Sequence, residues 1–200
     1  MIKKTVFSAC IHKALLMVES LLLCLVVFIS CDDTGALDYQ ERSIKAELTA
    51  KMDELEFTAT LQIKCGNDEG QGSFSLELHS PRSLSGMIIE GELSEDFNAP
   101  VLVKLDELEL GEKRLSSLSG ALTVVRAFSI SEPPRSVRAV SGAEAGLSKY
   151  ERLKLIEFDS FSVYLDPDRL VPAKIEARAD RSDTGICDMV IFIDKIELSN

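Results

Sequence analysis

The sequence predicts an α+β protein built on an antiparallel sheet of about eight strands, with two amphipathic helices grouped on one face. Three observations predict it. Long runs alternate apolar and polar residues with a period of two, as half-buried strands do. Short turn segments join consecutive runs, which favours antiparallel pairing. Two stretches, Tyr39–Leu55 and Lys113–Ile130, instead space their apolar residues at helical intervals.

The chain opens on a different kind of segment. Lys3, Lys4 and Lys13 precede an apolar run from Leu21 to Ile29, and no acid comes before Glu19. A basic start, a short apolar core and a small residue before a processing point form a secretory signal. The junction Phe28-Ile29-Ser30-Cys31 resembles the lipobox of bacterial lipoproteins, with Phe28 where that family usually has leucine. The resemblance implies a signal at 1–30 cut before Cys31, and a Cys31 thiol that is acylated. It places the mature protein on the extracytoplasmic face of a membrane, periplasmic or cell-surface. One acyl chain binds membranes only marginally, so anchoring implies multiple acylation of Cys31. Two other readings stand beside this one: plain secretion and an uncleaved anchor. The stretch 14–30 is 17 residues long and contains Glu19, whereas a spanning helix needs about 20 apolar residues.

Removing residues 1–30 takes three Lys and one Glu with it, so the net charge moves from −11 to −13. That balance argues against nucleic acid as a partner, because its phosphates need Lys and Arg. It argues in the same way against electrostatic docking on anionic lipid. The remaining 170 or so residues fit one domain.

Residues 31–38 read as a lipidated tether and residues 39–200 as the domain. In the first predicted helix Ile44, Leu48, Met52 and Leu55 share one face. From Glu56 the period becomes two: Phe57, Ala59, Leu61, Ile63 and Cys65 alternate with Thr58, Thr60, Gln62 and Lys64. A turn at 66–70 leads to a return strand with Phe74, Leu76 and Leu78, which Ser80-Pro81 ends because proline has no N–H to donate. Leu84–Leu93 and Val101–Leu110 follow as third and fourth strands. The parity switch between Leu105 and Leu108 marks a bulge or a strand end. The second helix carries Leu115, Leu118, Leu122, Val125 and Phe128 along one face. Residues 131–149, with Pro133-Pro134, read as a loop holding Arg135 and Arg138. Strands resume at Tyr150–Phe158, at Phe161, Val163 and Leu165, and at Ala173, Ile175 and Ala177. The last, Ile186–Leu198, is apolar on both parities, which predicts cover on both faces.

The mature chain keeps Cys65 and Cys187 besides Cys31. An exported domain permits a disulfide between them, and two buried free thiols are the competing reading. His79 is the sole mature histidine, on the polar parity of its strand. No metal motif, phosphate loop, nucleophile elbow or dinucleotide fingerprint is present. The expectation is a non-enzymatic protein with no metal and no cofactor.

Gly72-Ser-Phe-Ser-Leu-Glu-Leu-His-Ser-Pro81 with Leu84-Ser-Gly86 resembles the early strands of the LolA/LolB-like lipoprotein-carrier superfamily. Phe161-Ser-Val-Tyr-Leu-Asp-Pro-Asp168 followed by Leu170-Val-Pro172-Ala-Lys-Ile175 resembles its late hairpin. The likeness covers most of residues 39–200 in order. It implies an unclosed half-barrel wrapped around the two helices, with the helix at 113–130 filling its mouth. It also implies an apolar cavity for a lipid or other apolar ligand, lined by Phe57, Leu61, Ile63, Phe74, Leu76, Phe161, Val163 and Ile191. The chain departs from the family in having no tryptophan. The alternative is an envelope structural or protein-interaction lipoprotein whose core is filled and holds no ligand.

Overall fold

The computed structural model describes residues 34–66, 72–94, 99–105, 108–115, 118–179 and 185–199. Residues 1–30 and Cys31 lie outside them. A 3-10 helix at Thr34–Glu41 leads into the first strand. Eleven strands follow: β1 Ser43–Met52, β2 Leu55–Lys64, β3 Ser73–Ser80, β4 Met87–Glu92, β5 Pro100–Leu105 and β6 Leu108–Arg114, then β7 Ser136–Ser141, β8 Arg152–Glu157, β9 Phe161–Asp166, β10 Val171–Ala177 and β11 Met189–Ser199. Between β6 and β7 runs the one α-helix among the described residues, α1, at Ser119–Ala127.

All eleven strands form a single antiparallel sheet in the order β6-β5-β4-β3-β2-β1-β11-β10-β9-β8-β7. Each half is a meander, and β1 pairs with β11 in the middle. The sheet does not close: β6 and β7 are its two edges, and α1 lies in the connection that carries the chain from one edge to the other.

Register explains the core. One cross-strand row runs Phe57, Ala50, Ile191, Ile175, Val163, Ile156 and Val137, apolar in every strand from β2 to β7. Directly opposed residues share a face, so a row of this kind makes one continuous apolar strip. α1 belongs to this inner face: Gly120 lies beside the Met189 side chain, and Met189 pairs with Ala177 and so with Phe161. The helix is rich in Val and Thr, poor helix formers. Burial of Ala121, Leu122, Thr123, Val124, Val125 and Ala127 stabilises it instead.

The far side of β8–β10 is also covered. Leu153, Leu155 and Ala173 join Val140, Ala145 and Leu147 in a second cluster, with Tyr150, Tyr164 and Phe192 against it. The segment 142–150 folds over this outer face, with Leu147 N–H donating to the Gly142 carbonyl and Tyr150 N–H to that of Leu147. This is why β9 and β10 are buried on both parities. The double cover expected at the last strand therefore falls chiefly on its neighbours, while Val190 and Phe192 of β11 stay half-buried.

Several expectations are corrected. Tyr39–Leu55 is not a helix: it holds the end of the 3-10 helix, all of β1 and the first residue of β2. The alternating residues Ala46 and Ala50 are as buried as Ile44 and Leu48, so the segment pairs as a strand on both sides. The second helix is shorter than 113–130, because Lys113 and Arg114 belong to β6. The parity switch after Leu105 separates two strands, β5 and β6. The loop at 131–149 contains β7, an edge strand. Among the described residues the strand count is eleven rather than about eight, and one α-helix replaces two.

Candidate functional site

The inner face carries one groove with mainly apolar walls. Met52, Leu55 and Phe57 come from the β1–β2 hairpin, Leu76 and Leu78 from β3, Leu84 from the β3–β4 turn and Ile89 from β4. The opposite wall is the start of α1: Leu118, Ser119, Gly120 and Ala121. The volume is about 280 Å³, near the lower end for ligand pockets. The rim is accessible to solvent, with Leu55 37 % exposed.

Local sequence explains the opening. Gly120 has no side chain to reach across, and a Cβ built there meets only the Met189 methyl at 3.8 Å. Leu118 precedes the helix and offers no capping hydroxyl or carboxylate, so no side chain crosses the first turn. α1 is fixed on its other side: Thr123 Oγ1 donates to the Ser119 carbonyl at 2.8 Å and accepts from Cys187 N–H at 3.1 Å. Thr123 is fully buried; its bond to Ser119 stays within α1, and the one from Cys187 N–H ties the helix to the segment that leads into β11.

Of the eight residues expected to line a cavity, Phe57 and Leu76 lie in this groove. Leu61, Ile63, Phe161, Val163 and Ile191 are buried in the core. Phe74 is also buried, and its ring covers Gly91, its direct partner across β3 and β4. The rest of the lining was missed in the sequence. Leu84 sits in a turn, and Leu118 to Ala121 line the groove only because of where α1 comes to rest. A leucine in a polar turn at 81–86 was the one available signal.

Cys65 and Cys187 are free thiols. Cys65 Sγ lies 3.5 Å from the Gln40 carbonyl, and Cys187 Sγ is 3.3 Å from Thr123 Oγ1. Burial, helped by Glu41, pushes the Cys65 thiol pKa up, which keeps it protonated and poorly nucleophilic. His79 Nε2 meets Thr60 Oγ1 at 2.7 Å on the exposed outer face, with Glu77 beside it. Among the described residues no three His, Cys, Asp or Glu side chains converge as a metal site.

An open antiparallel sheet carrying one buried helix and a small apolar groove is the class that this geometry defines. No family model matches the chain, and no curated protein matches it. Solved structures do. An uncharacterised conserved protein from Thermus thermophilus aligns with a TM-score of 0.48 at 12 % identity, over 84 % of this chain and 87 % of that one. A domain described as outer membrane lipoprotein-sorting from Vibrio parahaemolyticus gives 0.41 at 10 %, over 84 % and 91 %. A LolA superfamily protein from Nitrosomonas europaea gives 0.43 at 13 %, over 84 % and 93 %. At these identities the likeness is one of fold.

Proposed function

We propose that this protein is a membrane-tethered, extracytoplasmic lipoprotein, not an enzyme, whose groove takes the acyl portion of a lipid or similar apolar ligand. The observation that carries the reading is the groove itself: apolar walls left uncovered between the first turn of α1 and β1–β4. Burying about six methylenes there, at ~0.8 kcal/mol each, gives roughly 5 kcal/mol before the cost of association. Affinity would be modest, which suits reversible loading. Anchoring is assigned to acylated Cys31, on the strength of the sequence Phe28-Ile29-Ser30-Cys31.

Two experiments test this. Metabolic labelling with an alkyne fatty acid should mark the wild-type protein and not a Cys31→Ser variant. Native mass spectrometry of the purified protein should show a co-purifying lipid that organic extraction releases. A bare mass that stays unchanged after incubation with oleate would instead favour a protein-interaction or structural lipoprotein with a filled core.

A further inference from the structure

The N-terminal entry to the sheet and the groove are at opposite ends of the fold. Tyr39 is fully buried, so the entry point is fixed. In the orientation that satisfies both groups, the Gln40 carboxamide donates to the Ile130 carbonyl at 3.1 Å and accepts from Ile130 N–H at 3.0 Å. The Gln40 carbonyl accepts from Cys65 Sγ. The entry is thereby held beside the end of β2 and beyond the C-terminal end of α1. The groove takes Leu55 and Phe57 from the beginning of β2, and Leu118 to Ala121 from the beginning of the helix segment. Leu55 and Cys65 are ten residues apart in sequence, roughly 30 Å at about 3.3 Å per residue of strand.

Resting on the lipidation and groove readings above, we propose that the groove faces away from the bilayer that holds Cys31. Its acyl chain then comes from the aqueous side and is never the protein's own. Chain length supports this. Leu37 lies six residues on from Cys31, a reach of about 20 Å at full extension. That reach keeps the entry end near the bilayer surface. It is shorter than the span from the entry to the groove's far lip at Leu55, so the protein's own lipid would have to leave the membrane to fill the site along its length. Leaving costs ~0.8 kcal/mol for every methylene withdrawn. Charge agrees: exposed Asp53 and Glu54 form the tip of the β1–β2 hairpin at the groove, followed by exposed Glu56. Lys51 neutralises Glu56 at 2.9 Å, which leaves the tip acidic and repelled by anionic headgroups.

The test uses the full, acylated chain with Cys65→Ser and Cys187→Ser. An environment-sensitive fluorophore is placed on Asp38→Cys in one protein and on Glu54→Cys in another. Both are reconstituted in phosphatidylethanolamine–phosphatidylglycerol vesicles whose headgroups carry a quencher. The Asp38 probe should be quenched several-fold more than the Glu54 probe. Equal quenching, or stronger quenching at Glu54, overturns the orientation. Oleate added from solution should then change the Glu54 signal without altering the Asp38 quenching. No response to oleate alongside intact asymmetry overturns the groove reading, and with it the aqueous route, while leaving the orientation measured. A protein that does not stay on the vesicles overturns the anchor.

Discussion

The ammonium of Lys174, on β10, donates a 2.8 Å hydrogen bond to the carbonyl of Ala145, in the segment that folds over the outer face. The same Nζ pairs with Glu176 Oε1 at 2.7 Å and lies 5.0 Å from the Tyr164 ring centroid and 5.8 Å from that of Phe192. Lys174 is only 9 % exposed. A buried charge of this kind is tolerated because each of its partners is in place.

Lys174→Ala should therefore destabilise the fold by about 2–4 kcal/mol, since it frees the 142–150 segment and leaves Glu176 without its cation, held only by the Tyr164 hydroxyl. Lys174→Met, which keeps the stem over the two rings, should cost clearly less. Urea unfolding of the two variants measures the difference. Equal losses would show that the stem over the two rings contributes nothing and that the whole effect lies in the ammonium.

Tyr164 gives a pH signature. Burial first, then the Glu176 charge and the hydrogen bond the phenol donates to it, push its pKa from 10.0 to about 12, with Arg178 and Arg138 opposing. The neutral phenol is thus favoured in the folded state. The stability it supports is complete below pH 10 and is lost as the pH rises from 10 through 12. Tyr39, fully buried, shifts in the same direction. Tyr164→Phe should flatten part of the alkaline loss, and Tyr39→Phe with Tyr164→Phe should flatten more. Thermal melts between pH 9 and 12 would show it.

Gly91 is a steric requirement. A Cβ there would lie 2.8 Å from Val101 Cγ1 and 3.2 Å from the Phe74 ring. Gly91→Ala should cost about 1–3 kcal/mol through overpacking. Combining it with Val101→Ala should recover part of that loss, which a double-mutant cycle would quantify.

Gly120 should behave oppositely. Gly120→Ala would meet the Met189 methyl at an ordinary van der Waals distance of 3.8 Å and removes a flexible residue from the first turn of α1. It should stabilise the protein by about 0.5–1 kcal/mol. Gly120→Leu should keep the fold and fill the groove, weakening oleate binding by roughly tenfold, which corresponds to 1.4 kcal/mol. Circular dichroism with a fluorescent fatty-acid displacement assay separates the two effects.

Much of the sheet was legible because large apolar residues mark its inner face. In β2 and β3, Phe57, Leu61, Ile63, Phe74, Leu76 and Leu78 alternate with polar residues, and no helix could bury that pattern on one side. β1 was illegible for a physical reason. Its inward positions alternate large and small, Ile44, Ala46, Leu48 and Ala50. Omitting the alanines leaves a spacing of four, which mimics a helix. β7 has the opposite difficulty: at the sheet edge, Val137 stays 43 % exposed, and its neighbours look like loop. The groove was half visible. Phe57 and Leu76 follow from strand parity, but Leu118 to Ala121 line it only through the placement of α1, which depends on Thr123 meeting Cys187 across 64 residues of chain.

The pairing of β1 with β11 has a consequence for how the protein comes into being. Ser43 sits opposite Ser199, and Lys51 opposite Val190. The seam that joins the two meanders cannot form until the final strand has been made. Pairings so distant in sequence close slowly. A nascent chain would hold its first six strands without the neighbour that completes them. Late closure of this seam makes the order of synthesis a timer that holds back folding of the whole sheet until the last strand is made.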